Sequence, residues 1–300
     1  MPRPARPIAI LLLALVGAML TGCGWMQYNG VELDLPTEMP RLAVDVENFG
    51  GNVDVVVDPD IEYACVKYAL ASDGLFQCEE DREAGYQRMA VTAEIVEQDG
   101  GAVLMARSVT DDPSNPDHRA HIRIVVPRCD GVRVVNQLGD VELVNVSGAV
   151  EVENRFGSVE LRTETPMIWP VTITTVEGNI YYQVPPGSTG YFDLMSLDGE
   201  ASYKDEVGGT ESLRSTAKHS TARLNGGSNQ IVCRTNAGNV RVFVMENPTA
   251  LTRAYKHTLP DFRDALFLDG SRRFTRNLPT GGVRPAPEPR RTRRHLWQLL

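Results

Sequence analysis

Two histidines, a run of evenly spaced acids and five cysteines are the residues whose types and spacing could do chemistry in this chain. His118 and His121 stand three apart with Asp111, Asp112 and Asp117 close by, and imidazole with carboxylate can share a cation. His121, however, opens an alternating strand, on which residues three apart point to opposite faces. Glu142, Glu151 and Glu160 recur in steps of nine. A glycosidase needs two carboxylates converging on one bond. Alternation alone places acids outward at these positions, and no basic or aromatic cluster accompanies them. The serines sit in turns, without a Gly-x-Ser-x-Gly elbow. Asp140, Asn179 and Asn239 could hold calcium at turns, but the Gly-Gly-x-Gly-x-Asp phrase is absent, so they read as turn formers. No catalytic residue, metal or cofactor is therefore expected.

Cys23 is different. It follows Leu20-Thr21-Gly22, a branched residue and two small ones, at the end of the uncharged apolar run Ile8–Leu20, which Arg3 and Arg6 precede. That run is short of the roughly 20 apolar residues of a membrane span, and the whole looks like a lipoprotein export signal. Cleavage before Cys23 is expected, with a diacylglyceryl group on its sulfur and a further acyl chain such as palmitate on its amino group. Two or three chains make a stable anchor where one gives marginal binding. Gly24 stands where an inner-membrane retention Asp would be, which favours the outer membrane over the inner. The other cysteines, Cys65, Cys78, Cys129 and Cys233, are even in number and exported, so two disulfides are expected. Ser72-Asp73-Gly74 is a turn signal that favours Cys65–Cys78, leaving Cys129–Cys233. No C-x-x-C spacing marks a zinc or redox site.

The elements that must position these residues are written in a repeat. Asn, Thr or Ser is followed, three residues on, by Gly, then a small polar residue, then apolar–any–apolar. Copies run through Asn48–Val55, Asn136–Leu143, Asn145–Val152 and Asn154–Leu161, and looser ones start at Thr175, Ser196 and Thr235. Turn glycines thus fall at Gly51, Gly139, Gly148, Gly157, Gly178, Gly199 and Gly238, with Ser220 in the glycine place of a degenerate copy. Steps of nine give way to steps near twenty. Period-2 alternation turns Val141 and Leu143, or Val159 and Leu161, to one face. Such a coil cannot bury its apolar face alone, so an all-β, right-handed parallel β-solenoid with coils of about 18–21 residues is expected. A β-sandwich of repeated hairpins is the alternative.

His121-Ile122-Arg123-Ile124-Val125-Val126-Pro127, then Val132-Arg133-Val134 and the glycine repeats, resembles the bacterial "putative adhesin" or Toastrack-type domains over residues 42–246. There a strand ending in Val-Pro leads into repeated Gly-Asp-Val strands. The resemblance implies an extracytoplasmic β-solenoid without established catalytic residues. A cysteine-bearing insert between Ile61 and Thr110 departs from the pattern.

The expected organisation is a signal peptide (1–22), a tether (23–41) and the β-domain (42–249). Residues 61–130 form the β-domain's N-terminal strands and insert. A candidate cap spans 250–279, including Ala265–Gly270, and a basic, disordered tail spans 280–300. A formal net charge of −9 disfavours nucleic acid as a partner. The function expected is a lipid-anchored, non-catalytic binding module of the cell envelope, taking a protein or glycan; a structural spacer and a glycan-active enzyme are the alternatives. A concave patch of Tyr181, Tyr182, Tyr191 and Tyr203 would mark the binding module, and paired carboxylates in a cleft the enzyme.

Overall fold

The computed structural model describes residues 26–33, 41–72, 79–98 and 101–250. Glycine-punctuated runs of alternating valine become short strands that pass in turn between two sheets. After β1 (Met26–Leu33) comes a rung of two strands, β2 (Leu42–Asn48) and β3 (Val53–Val57). Then follow β4 (Ala64–Ser72), a short helix α1 (Glu79–Gln87) and β5 (Met89–Gln98). Four rungs come next: β6 (Gly101–Thr110) with β7 (His118–Val126), β8 (Gly131–Leu138) with β9 (Val141–Val144), β10 (Ala149–Phe156) with β11 (Val159–Arg162), and β12 (Val171–Glu177) with β13 (Ile180–Val184). The last two rungs, β14 (Gly190–Asp198) with β15 (Ala201–Asp205) and β18 (Gln230–Ala237) with β19 (Val240–Val244), flank a hairpin of β16 (Thr210–Ser215) and β17 (His219–Leu224). Residues up to Pro248 form one compact unit; of the second, from Thr249 onward, only residues 249 and 250 are described.

Every contact between rungs is parallel and in register. In the ten-stranded sheet, Val46, Val134, Val152, Ile173, Cys233 and Leu194 line one column across β2, β8, β10, β12, β18 and β14. In the nine-stranded sheet, Ile124, Val55, Leu143, Leu161, Tyr182, Val242 and Tyr203 form its counterpart. Both columns belong to one buried core. β-Branched residues dominate because each strand end must fill the same width, and Val or Ile packs well on a pleated surface.

The all-β expectation holds, with a single short helix among the described residues. Antiparallel pairing is confined to the ends, where β1, β4 and β5 flank the β6/β7 rung and the β16–β17 hairpin follows β14. Among the described strands neither sheet closes on itself. The order of the rungs differs from the order of the chain: β2/β3 lies between β6/β7 and β8/β9, and β18/β19 between β12/β13 and β14/β15. Glycine spacing cannot reveal this, because an inserted rung presents the same register to both neighbours.

Three expectations need correction. Residues read as tether include β1, which pairs with β4 from Met26 against Ala71 to Leu33 against Ala64. The copy with Ser220 is no rung: Ser220 lies on antiparallel β17. The Asn145–Gly148 copy turns the chain from β9 back to β10, at the corner opposite the one served by Gly139 and Gly157. The signal peptide, Cys23, Cys78, the candidate cap and the basic tail lie outside the described residues.

Candidate binding face

One corner of the rungs is built from the repeat itself. Gly51, Gly139, Gly157, Gly178, Gly238 and Gly199 stack in that order, each seated on the backbone carbonyl of the residue before it, and Gly51 on that of Ala120. Gly157 shows why the residue is glycine: its φ is 128°, and a Cβ there would overlap the Gly139 carbonyl. The repeat's leading polar residue lies beneath. Asn154 Nδ2 donates to the carbonyls of Gly139 (3.0 Å) and Gly157 (2.9 Å). Asn48 likewise serves Gly51 and Ala120, and its Oδ1 accepts from Ser108 Oγ at 2.5 Å. Thr175, Thr235 and Ser196 donate to the carbonyls of Gly157, Gly178 and Gly238. All five of these donors, Asn48, Asn154, Thr175, Ser196 and Thr235, are buried. They satisfy carbonyls that would otherwise be orphaned.

The polar residue after each glycine links rungs from outside. Asp140 Oδ1 accepts the Ser158 N–H at 2.7 Å, Asn179 Oδ1 that of Asn239 at 2.8 Å, and Asn239 Oδ1 that of Glu200 at 3.0 Å. Turn formation thus occupies the residues weighed as calcium ligands.

The structure separates the other candidates. Glu142 and Glu160 stand side by side on the outer face of the nine-stranded sheet, whereas Glu151 lies on the other sheet, opposite Arg133 and Thr172. Arg162 pairs with Glu160 and Glu142. His118 is buried, its Nδ1 2.9 Å from Thr110 Oγ1, and His121 Nδ1 accepts the Asn52 N–H at 3.2 Å. Among the described residues no group of three or more His, Cys, Asp or Glu side chains is placed to hold a metal.

The expected Cys129–Cys233 disulfide is absent: both side chains are buried thiols. Cys129 precedes β8 and donates to the Gly131 carbonyl, while Cys233 lies on β18, three strand spacings away, or about 14 Å. A disulfide needs Cα atoms about 6 Å apart. Burial pushes each thiol up to about 12, with the Asp130 charge adding at Cys129 and the Asp193 charge at Cys233. Cys65 lies on β4, and its expected partner Cys78 is outside the described residues.

The tyrosine patch also fails to form. Tyr182 and Tyr203 are buried and both pack against Phe192, with centroids 6.3 and 5.1 Å from it. Only Tyr191 among the four is well exposed.

Sequence reasoning missed the face on which Tyr191 stands. On the outer side of the ten-stranded sheet, beyond β12, cross-strand pairing gathers Arg214, Arg223, His219, Arg234 and Tyr191. All five are exposed, as is Lys218 in the β16–β17 turn. Asp193 is the acid at the centre of this face. It accepts from His219 Nε2 at 2.8 Å and from Arg234 Nη2 at 2.9 Å. Partial burial works to raise its carboxyl, but those two hydrogen bonds and charges outweigh it and hold Asp193 below its ordinary value. Glu211, also exposed, stands at the β16 bulge beside Ser212, and Asp198 at the corner end of β14. Farther along the same side, Asp45, Glu47, Glu151 and Glu153 accompany Arg107 and Arg133, and Arg133 bonds Asp45 at 2.8 Å and Glu47 at 3.1 Å. The β14–β18 end carries more cations than acids, whereas on the β2–β10 stretch acids outnumber the arginines. Alternation in His219-Ser220-Thr221-Ala222-Arg223 was the available signal, obscured because this strand was read as a glycine-turn copy.

No family model matches the chain, and no curated protein matches it either. Among solved structures, one described as a "putative cell adhesion protein" from Clostridium sporogenes shares the fold. It has a TM-score of 0.51 and 11% identity, over 74% of this chain and 100% of that one. A "putative adhesin" from Bacteroides fragilis aligns at a TM-score of 0.24 and 8% identity, over 74% of this chain and 97% of that one.

Proposed function

We propose that this chain is a non-catalytic binding module of the bacterial cell envelope, a right-handed β-solenoid tethered through acylated Cys23 to the outer membrane. The observation that carries the reading is the separation between tether and exposed face. In the sequence, β1 begins three residues after Cys23. β1 is one edge of the nine-stranded sheet and β15 the other, so eight strand spacings, roughly 38 Å, separate them. The cationic face belongs to the β14/β15 end. A stack anchored at one end and decorated at the other suits capture of something beyond the membrane. The description of the C. sporogenes neighbour as an adhesion protein accords with this role.

Intact mass after membrane fractionation tests the tether, comparing wild type with Cys23→Ser in a lipoprotein-processing host. Wild type is expected in membranes, at the mass of an acylated chain beginning at Cys23, and the variant without acylation. A soluble, unacylated wild type would sink the tether. Adherence of cells displaying the protein, against cells lacking it, tests the binding role.

A further inference from the structure

We propose that the outer face of β14, β16, β17 and β18 binds an anionic polysaccharide, one bearing carboxylate or sulfate groups. The inference rests on the binding-module reading and names its ligand class. Arg214 stands across from Thr221, Arg223 across from Ser212 and Tyr191, and His219 across from Met195, with Arg234 one strand farther. Cations on β16, β17 and β18 and the hydroxyls of Ser212, Thr221 and Tyr191 therefore share one sheet face around Asp193. Guanidinium groups offer planar, paired donors that suit carboxylate and sulfate oxygens. Tyr191, beside Arg223, adds an aromatic surface for the carbohydrate itself.

The bonds already made leave the face cationic. Asp193 engages His219 and Arg234, Arg223 Nε donates to the Gly227 carbonyl at 3.3 Å, and Lys218 Nζ to the Leu197 carbonyl at 2.5 Å. Only the first of these involves an opposing charge. In a chain of net charge −9, such a concentration of cations creates a local field that gathers polyanions. Anionic lipid is the less suitable polyanion, because this face lies at the opposite end of the stack from β1 and the tether. Duplex nucleic acid would need more cations than the overall charge supplies.

The test uses the wild-type lipoprotein purified in neutral detergent, with dextran sulfate, carboxymethyl dextran and uncharged dextran as immobilised probes. Both charged polymers are expected to bind, in a salt-sensitive way, and uncharged dextran not to bind. Arg214→Ser combined with Arg223→Ser is expected to weaken binding by at least about tenfold. Arg155→Ser, on β10 of the same side, is expected to leave it within about twofold. Asp193→Asn removes the central acid and is expected to strengthen binding, a direction that loss of structure would not produce. The proposal is overturned if the charged dextrans do not bind, if the double variant binds like wild type, or if duplex DNA or anionic vesicles bind in preference. Adherence of displaying cells, measured beside these, separates the two levels. Adherence without polysaccharide binding defeats this inference alone, and absence of both defeats the binding-module reading as well.

Discussion

The two corners of each rung solve the same problem in opposite ways. At the glycine corner, the connections from β8 to β9, β10 to β11, β12 to β13, β14 to β15 and β18 to β19 are each two residues long. At the opposite corner, residues 145–148, 163–170 and 185–189 make connections of different lengths. The first corner is tight because backbone rests on backbone there, with a buried polar column beneath. The second is held by local devices: Asn145 takes φ 57° and its Oδ1 accepts the Glu164 N–H at 3.1 Å, while Ser188 Oγ accepts the Met167 N–H. Register is therefore enforced once per rung. Length variation is tolerated at the other turn, which explains why the repeat step drifts from eighteen between Gly139 and Gly157 to twenty-one between Gly157 and Gly178.

The sharpest way to break this contrast is to load the tight corner. Gly157→Ala places a Cβ on the Gly139 carbonyl at a backbone angle that side chains rarely adopt. A loss of at least about 3 kcal/mol is expected, read from the midpoint of urea unfolding. Gly208→Ala is the companion: φ there is also positive, but nothing lies within 4 Å, so only strain of about 1 kcal/mol remains. Equal losses would mean that overlap contributes nothing at the stack. Insertion gives the same contrast by length. Two glycines between Thr165 and Pro166 are expected to cost about 1 kcal/mol or less. The same pair between Gly157 and Ser158 should abolish cooperative unfolding.

Next in size is the polar column. Asn154→Ala would strip two buried carbonyls of their donor and is expected to cost about 1–3 kcal/mol. Asn154→Thr should recover part of this, since Thr175 and Thr235 fill the same place one and two rungs on and donate to the equivalent carbonyls. If alanine and threonine behave alike, the column is filler rather than a hydrogen-bonding device.

The tight corner is also what made the sequence readable. A turn that admits only glycine, beneath it an Asn, Thr or Ser, and after it an Asp, Asn or Ser bonded to the next rung, leaves a mark at each pass. All-β structure, alternating burial and most glycine turns follow from that mark. The variable corner leaves none, so Asn145–Gly148 imitated a copy of the tight turn and Ser220 a degenerate one. Rung order was illegible for a related reason: Val171 is satisfied by Ile231 as well as it would be by Phe192. Cys129 and Cys233 looked like a pair because export favours disulfides, yet each fits in the core as a small apolar side chain, Cys233 in its column and Cys129 just before β8. The cationic face was hidden because Arg214, Arg223 and Arg234 are remote in sequence and meet only through the inserted rung and its hairpin.

The smallest effect expected concerns a cost of that regularity. In-register rungs put like residues beside like, and just past the tight corner this places Asp54 next to Glu142, with Glu160 following and Arg123 on the other side. Burial, then the Glu142 charge, raise the Asp54 carboxyl from its ordinary 3.8 to about 6, against the opposing pull of Arg123. Between those two values the folded chain holds a proton that the unfolded chain has released. Stability from this group is therefore fully present below pH 3.8, falls as pH rises through about 6, and is gone at neutral pH, where both states are ionised. Asp193 runs the other way, since its lowered value adds stability that is lost on acidification. The informative quantity is accordingly the difference between wild type and Asp54→Asn, by urea unfolding from pH 7 to pH 5. The variant should be the more stable at pH 7, with the gap closing towards pH 5. A gap that holds constant would mean that Arg123 fully compensates the stacked acids, and that regular register carries no electrostatic cost on this face.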